Sequence, residues 1–339
     1  METSRNPRRR TVLALTALTA ALSLTATACG GDSTNEAKTA DGKAKVTVLR
    51  SNGAIFEPLY IAQQQGYFKD AGLDVTIKAG AQDTSQNAPS VLNGEAQFAM
   101  TDSSGFLKGA AQDMPLRIVT GLQSATTKTD PTDGLLVKKS SAITTFSDLE
   151  GKTVGLSALG GTIQFIVEYL VQKDGGDPAK VKFVALPTTS LTDAVTSGKT
   201  DAVYSFGAFF AAARTSDKLN VIGKGMNELP GMVQGLLFSS QEYLAGNGAT
   251  AKKFIDAVGK AITYANENPD AVRAIDKKYT QLDAAFIDKQ ETAYYDTQLN
   301  TTVMRTVITK MNEFKLLDKE PTDEALYWDQ APTTTSSEE

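Results

Sequence analysis

Residues 152–162 run Lys152-Thr153-Val154-Gly155-Leu156-Ser157-Ala158-Leu159-Gly160-Gly161-Thr162. The first five form a short apolar run with β-branched members, which reads as a strand. The next five are small or polar, the composition of a turn. From 162 to 172 the chain reads as a helix, ended by Gly175-Gly176. A strand over 181–186 follows, then the loop Pro187-Thr188-Thr189-Ser190, a helix ending at Gly198 and a strand over 201–204. The order is strand, helix, strand, helix, strand.

Working outward, the same order occurs about 104 to 108 residues earlier. Lys45-Val46-Thr47-Val48-Leu49 alternates as a strand and leads into the small loop Ser51-Asn52-Gly53-Ala54. A helical run over 56–65 ends at Gly66 and Gly72, a strand covers 73–77, a helix ends at Val91-Leu92-Asn93-Gly94, and a strand covers 96–100. Strands alternating with helices predict α/β lobes built on parallel sheets. Open α/β sheets bind ligands at the carboxyl ends of their strands. Two such lobes face to face make a cleft between those ends. Further strands are expected over 219–222 and 233–238. Helices are expected near 249–267, 269–278, 282–296 and 299–314, and a frayed tail over 331–339.

Composition narrows the chemistry. The 339 residues contain no histidine and one cysteine. Ser-His-Asp and Cys-His catalysis are therefore excluded, and a zinc enzyme is disfavoured. Carboxylate pairs or a Ser/Lys arrangement would remain for a surface hydrolase. Gly155 to Gly160 misses the nucleophile-elbow spacing by one residue. Gly151-Lys152-Thr153 and Gly198-Lys199-Thr200 resemble phosphate-loop tails, but Phe146 and Asp193 stand where the leading glycine belongs. No cofactor is expected. No basic stripe suits a nucleic acid.

The amino end carries Arg8-Arg9-Arg10, an apolar stretch over 12–24 and Ala26-Thr27-Ala28-Cys29-Gly30. A positive head, a short apolar run and small residues before a cut site make a secretory signal over 1–28. The lone cysteine stands where a bacterial lipoprotein signal resembles the lipobox, which implies a diacylglycerol on Cys29. Two acyl chains suffice for stable membrane attachment. Residues 29–44 then read as the lipidated cysteine and a flexible tether. Cleavage would remove four basic residues and one acidic residue, leaving 30 Lys+Arg against 38 Asp+Glu.

Phe56-Glu57-Pro58-Leu59-Tyr60-Ile61-Ala62, Gly66-Tyr67-Phe68, Ala71-Gly72-Leu73-Asp74-Val75, residues Phe146-Ser147-Asp148-Leu149-Glu150-Gly151-Lys152-Thr153-Val154-Gly155 and Gly198-Lys199-Thr200-Asp201-Ala202 together resemble the solute-binding proteins of ABC importers for sulfonates, taurine, nitrate and thiamine pyrimidines. The resemblance implies a two-lobed periplasmic-binding-protein fold of type II, with a hinge and a helical C-terminal part. Lobe 1 would comprise 45–122 and 233–330, and lobe 2 would comprise 123–232. Crossings are expected over 116–123 and 229–235, with Gly231 and Gly235 suited to hinge positions. The resemblance implies a monomer without catalysis, lipid-anchored on the extracytoplasmic face, working with a permease and an ATPase. Its ligand is read as a small organic anion, sulfonate or carboxylate, with a neutral or amine-bearing heterocycle as the alternative. Some relatives make a pyrimidine from their own histidine, a residue this chain lacks.

The expected ligand contacts are Arg50, Ser51, Asn52 and Phe56 after the first strand and Thr101, Asp102 and Ser103 before a helix. In the other lobe they are Ser157, Gly161 and Thr162, with Phe206 as an aromatic lid. Each also has a plain structural reading. Arg50 could bond a neighbour, Phe56 could begin a core face, and Asp102 or Ser103 could simply cap a helix. Phe209 or Phe210 reads as core.

Overall fold

The computed structural model describes residues 38–335, apart from 53, 54, 82, 281 and 289. The signal segment, Cys29, the first part of the tether and residues 336–339 lie outside the described residues. The end of the expected tether is folded: Thr39 N donates to Lys43 O at 2.9 Å and Gly42 takes a left-handed turn.

Ten strands form the two main sheets. They are β1 (Ala44–Arg50), β2 (Leu73–Ala79), β3 (Phe98–Thr101), β4 (Leu116–Ser124), β5 (Asp133–Lys138), β6 (Thr153–Leu156), β7 (Lys182–Ala185), β8 (Ala202–Phe206), β9 (Leu219–Ile222) and β10 (Val233–Ser240). One sheet has the order β2-β1-β3-β10-β4 and the other β7-β6-β8-β5-β9. The duplication seen in the sequence is thus a repeated topology, with β1 equivalent to β6 and β3 to β8.

The expected parallel sheets are mixed. β1 pairs in parallel with β2 and β3, and β6 with β7 and β8. β10 runs antiparallel to β3 and β4, and β5 antiparallel to β8 and β9. The cause is connectivity. Parallel neighbours need a crossover, usually a helix. β5 and β10 instead enter their sheets directly from the other lobe. β5 was missed in the sequence because Gly134-Leu135-Leu136-Val137 is a short apolar run without alternation. It is buried along nearly its whole length.

The first crossing follows β4, and the return passes at Gly231 and Met232. β4 stays in the first sheet to Ser124, which pairs with Val233. Passage between lobes occurs beside Ala125, whose N–H donates to Met232 O and whose carbonyl accepts from Gly231 N, both at 2.8 Å.

The C-terminal part covers the first sheet. The helix Gln241–Glu267 starts earlier than read, on a Ser240 cap at 3.1 Å from Tyr243 N, and kinks at Asn247. Over 282–296 only Ala284–Ile287 is helical. Residues 295–297 run along the edge strand β4, with Gly121 N donating to Thr297 O at 2.9 Å and Asp296 N to Leu122 O at 3.1 Å. An open strand edge exposes unpaired backbone groups, and this segment satisfies them. A Cβ at Gly121 would stand 2.9 Å from Asp296 O, so the close approach needs glycine. The expected frayed tail is likewise paired at its start, where Thr333–Thr334 lies parallel to Leu299–Asn300. Backbone pairing, invisible in a Thr-rich sequence, holds it.

One core packs sheet 1 against the helices Glu57–Gln64, Gln241–Glu267 and Pro269–Tyr279, through Val46, Val48, Phe98 and Phe254. A second continues from Phe106, Leu107 and Phe238 in lobe 1 to Phe165, Ile166 and Leu135 in lobe 2, with Val307 and Met311. Among the described residues no helix is long and apolar enough to cross a membrane.

Candidate functional site

The four predicted loops leave the carboxyl ends of β1, β3, β6 and β8. At β1, alternation puts Val46, Val48 and Arg50 on one face. The Arg50 guanidinium lies 4.5 Å from the Phe56 ring centroid and 5.8 Å from that of Tyr60. Its Nε donates to Tyr60 Oη at 3.1 Å and its Nη1 to Ser51 O at 2.6 Å. Tyr60 in turn stacks on Tyr279 with centroids 3.7 Å apart. Arg50 is therefore held within lobe 1. Phe56 is fully buried in the lobe 1 core, not displayed as an open wall. Asn52 Nδ2 donates to Gly80 O at 3.0 Å, and Ser51 N faces Met100 Sδ at 3.5 Å.

At β3, Asp102 is the N-cap of the helix Ser103–Ala111 and accepts from Gly105 N at 2.7 Å. Ser103 Oγ donates to Val233 O, tying that helix to the returning strand. Thr101 Oγ1 lies 3.3 Å from Thr84 Oγ1. Thr101 also borders a recess of about 230 Å³ along the same helix, with Phe106, Lys108 and Phe238.

At β6, Gly160 takes a left-handed conformation and its N–H donates to Gln164 Oε1 at 2.8 Å. Gly161 opens the helix Thr162–Lys173 without a side-chain cap. Thr162 is buried, and its Oγ1 makes no hydrogen bond of good geometry. The Asp102 carboxylate lies beside it, from the opposite lobe. Lys108 Nζ approaches Gly160, standing 3.2 Å from where a Cβ would be. Ser157 is half-buried. The fold thus brings Asp102 and Lys108 of lobe 1 to Gly160 and Thr162 of lobe 2.

At β8, Phe206 is extended and half-buried, and Gly207 turns left-handed as its N–H donates to Thr132 O at 2.8 Å. Phe210 is core, whereas Phe209 is 39% exposed.

Other groups escaped the sequence reading. Ser205 and Ser124, at the ends of β8 and β4, have buried hydroxyls without hydrogen-bond partners among the described residues. Asp133 is buried at the start of β5, where it accepts from Tyr204 Oη and from Met226 N, the latter at 2.8 Å. Nothing in Pro131-Thr132-Asp133 marks these partners, which lie 71 and 93 residues away. Burial raises the pKa of Asp133 and of Asp102. Burial, then the charge of Asp276, raises that of Glu57 to about 8. Burial brings Glu168 to about 7. Among the described residues no cluster of acidic, histidine or cysteine side chains could hold a metal ion.

Comparisons with known proteins bear on the fold and the family. The candidate binding protein YtlA of Bacillus subtilis (strain 168) is 27% identical over 254 residues, 72% of this chain and 73% of its own. The periplasmic aliphatic sulphonate binding protein SsuA of Escherichia coli superposes with a TM-score of 0.71 at 16% identity, over 87% of this chain and 94% of that one. The alkanesulfonate-binding SsuA of Xanthomonas axonopodis pv. citri, bound to MOPS, gives 0.66 at 16% identity, over 86% and 99%. These likenesses establish the two-lobed fold. The profile of the NMT1/THI5-like family matches residues 54–272, well over half of the sequence; the chain belongs to the NMT1/THI5-like family.

Proposed function

We propose that this chain is the solute-binding component of an ABC importer, tethered outside the cytoplasm by lipid on Cys29, and that it captures a small organic anion between its lobes. The observation that carries the reading is the uncapped start of the helix Thr162–Lys173, with the unpartnered Thr162 hydroxyl at its mouth. The first amides of a helix have no internal acceptor and favour negative charge. The sulfonate named for SsuA of E. coli is a group of that kind. In this reading Ser157, Gly161, Thr162 and Phe206 meet the ligand from lobe 2, and Thr101, Asp102 and Ser103 meet it from lobe 1. Ser51 and Asn52 frame it, with Arg50 and Phe56 packed behind them. A permease and an ATPase complete the importer, and the binding component acts as a monomer without turnover of its ligand.

A second reading, a neutral or amine-bearing heterocycle, draws on Asp102 at the cleft and on the engagement of Arg50 with its own lobe. Mass spectrometry of small molecules co-purifying with the protein, followed by calorimetric titration, separates the two. A bound sulfonate or carboxylate supports the first, and a bound amine or uncharged heterocycle replaces it with the second. The anchor is tested by Cys29→Ser: loss of an acyl mass and of membrane retention is expected, and unchanged processing refutes lipidation.

A further inference from the structure

The two sides of the cleft meet where Asp102 and Lys108 of lobe 1 face Thr162 and Gly160 of lobe 2. Asp102 holds Gly105 N at 2.7 Å, and its carboxylate also lies beside Thr162 of the other lobe. Thr162 is 7% exposed and its Oγ1 has no hydrogen-bond partner. It stands at the start of a 12-residue helix without a side-chain cap. A helix start of this kind stabilises a negative group placed before it. In this structure the negative group facing the Thr162 side chain is Asp102, a side chain of the protein itself.

We propose that Asp102 determines which charge the cleft accepts: ionised, it occupies the place an anionic ligand needs, so the protein takes up an anion together with one proton on Asp102. This rests on the reading of the cleft as an anion site. An anion at Thr162 would sit against the Asp102 carboxylate, and two negative charges in a desolvated site disfavour each other until one is neutralised. The proton comes from solvent and bonds to the free carboxylate oxygen. The neutral acid then donates to an oxygen of the anion, while its other oxygen keeps Gly105 N.

The surroundings are consistent with that exchange. Burial raises the pKa of Asp102, Asp83 adds to the rise, and Gly105 N, Thr162 and Lys108 oppose it. The facing helix Thr162–Lys173 carries Glu168, Tyr169 and Lys173; its one acidic group, Glu168, accepts from Gln164 Nε2 at 2.9 Å and burial brings it to about 7. Glu168 is the group most easily confused with Asp102 in a pH experiment.

The test uses the full chain, its Asp102→Asn and Glu168→Gln variants, and ethanesulfonate, whose charge is constant across the neutral range. Calorimetric titrations are run over a series of pH values and in buffers of different ionisation enthalpy. The wild type is expected to lose about tenfold in affinity per pH unit above the titration of Asp102, and to take up one proton per anion. Asp102→Asn is expected to bind with pH-independent affinity, at least tenfold tighter than wild type at the alkaline end. Glu168→Gln should keep the wild-type slope. A flat wild-type profile, or an equal slope in Asp102→Asn, overturns the proposal. Loss of the slope in Glu168→Gln assigns the proton to Glu168 and also overturns it. If neither wild type nor Asp102→Asn binds ethanesulfonate, the anion reading itself falls and the proposal with it. Ethylammonium bound by wild type and lost in Asp102→Asn would then leave a solute-binding protein with the opposite ligand charge.

Discussion

The two lobes share a strand order but treat the polar groups at their strand ends differently. In lobe 1 most of these groups are answered from within, Ser124 excepted: Arg50 by Tyr60 and Ser51, Asn52 by Gly80, Asp102 by Gly105, and Ser103 by the neighbouring strand. In lobe 2 the helix after β6 has no side-chain cap, the Thr162 hydroxyl makes no hydrogen bond of good geometry although Asp102 lies beside it, and the Ser205 hydroxyl has no partner among the described residues. An unmet buried polar group costs about 1–3 kcal/mol. A protein that tolerates several at one edge has a reason to keep them, and a ligand that meets them recovers that cost on binding. In the proposed reading lobe 1 is the preformed wall and lobe 2 the side whose hydrogen bonding is completed by the ligand.

Each lobe contains an exception, and the exceptions are where the comparison breaks most easily. Asp133 is lobe 2's internally satisfied group, holding Tyr204 Oη and Met226 N. Asp133→Ala leaves two buried donors unpaired and is expected to lower stability by roughly 2–6 kcal/mol. Chemical denaturation measures this. A loss below about 1 kcal/mol would mean that water or a rearranged loop replaces the carboxylate.

Glu57 is the charged exception in lobe 1. It is buried at the start of the helix Glu57–Gln64, its Oε2 has no partner, and Asp276 lies near it. Its pKa is raised from the ordinary 4.5 to about 8. The folded state therefore binds more protons than the unfolded chain between those values, so stability is fully present below about 4.5 and is lost as pH rises to about 8. The slope is at most about 1.4 kcal/mol per pH unit. Glu57→Gln should flatten it, as followed by unfolding free energies across that window. An unchanged slope would move the proton to Asp276, whose pKa burial also raises.

The third prediction sharpens the comparison with a pair of variants. Thr162→Val should leave stability unchanged or slightly raised and weaken ligand binding by about 1 kcal/mol, one neutral hydrogen bond. Arg50→Ala should do the reverse, lowering stability by about 1 kcal/mol through lost hydrogen bonds and cation–π contact while leaving affinity within about twofold. Calorimetry and thermal unfolding of both variants give the answer. If Arg50→Ala weakens binding more than Thr162→Val, lobe 1 is the side that supplies charge to the ligand.

Much of the fold was legible in the residues. Alternation in Lys45 to Leu49 and the strand–turn–helix signal from Thr153 to Lys173 follow local rules, and the strand Leu219–Ile222 has the bounds its sequence suggested. The loops that became candidate sites were legible for the same reason: they follow strands of the repeated unit. What Arg50 and Phe56 do there was not. Arginine beside aromatic residues reads equally as a ligand fork or as a cation–π stack, and only packing chooses.

The sequence by itself determined the repeated α/β units and the chemistry available to them, because helix and strand periodicity, turn residues and the absence of histidine are local or compositional properties. Tertiary structure alone decided the antiparallel strands β5 and β10, the segment at 295–298 covering β4, and the meeting of Asp102 with Thr162. Each joins groups tens to more than a hundred residues apart, through backbone pairing or a contact between lobes. Backbone pairing carries little side-chain signature, and a single carboxylate does not reveal in sequence which distant hydroxyl it will face.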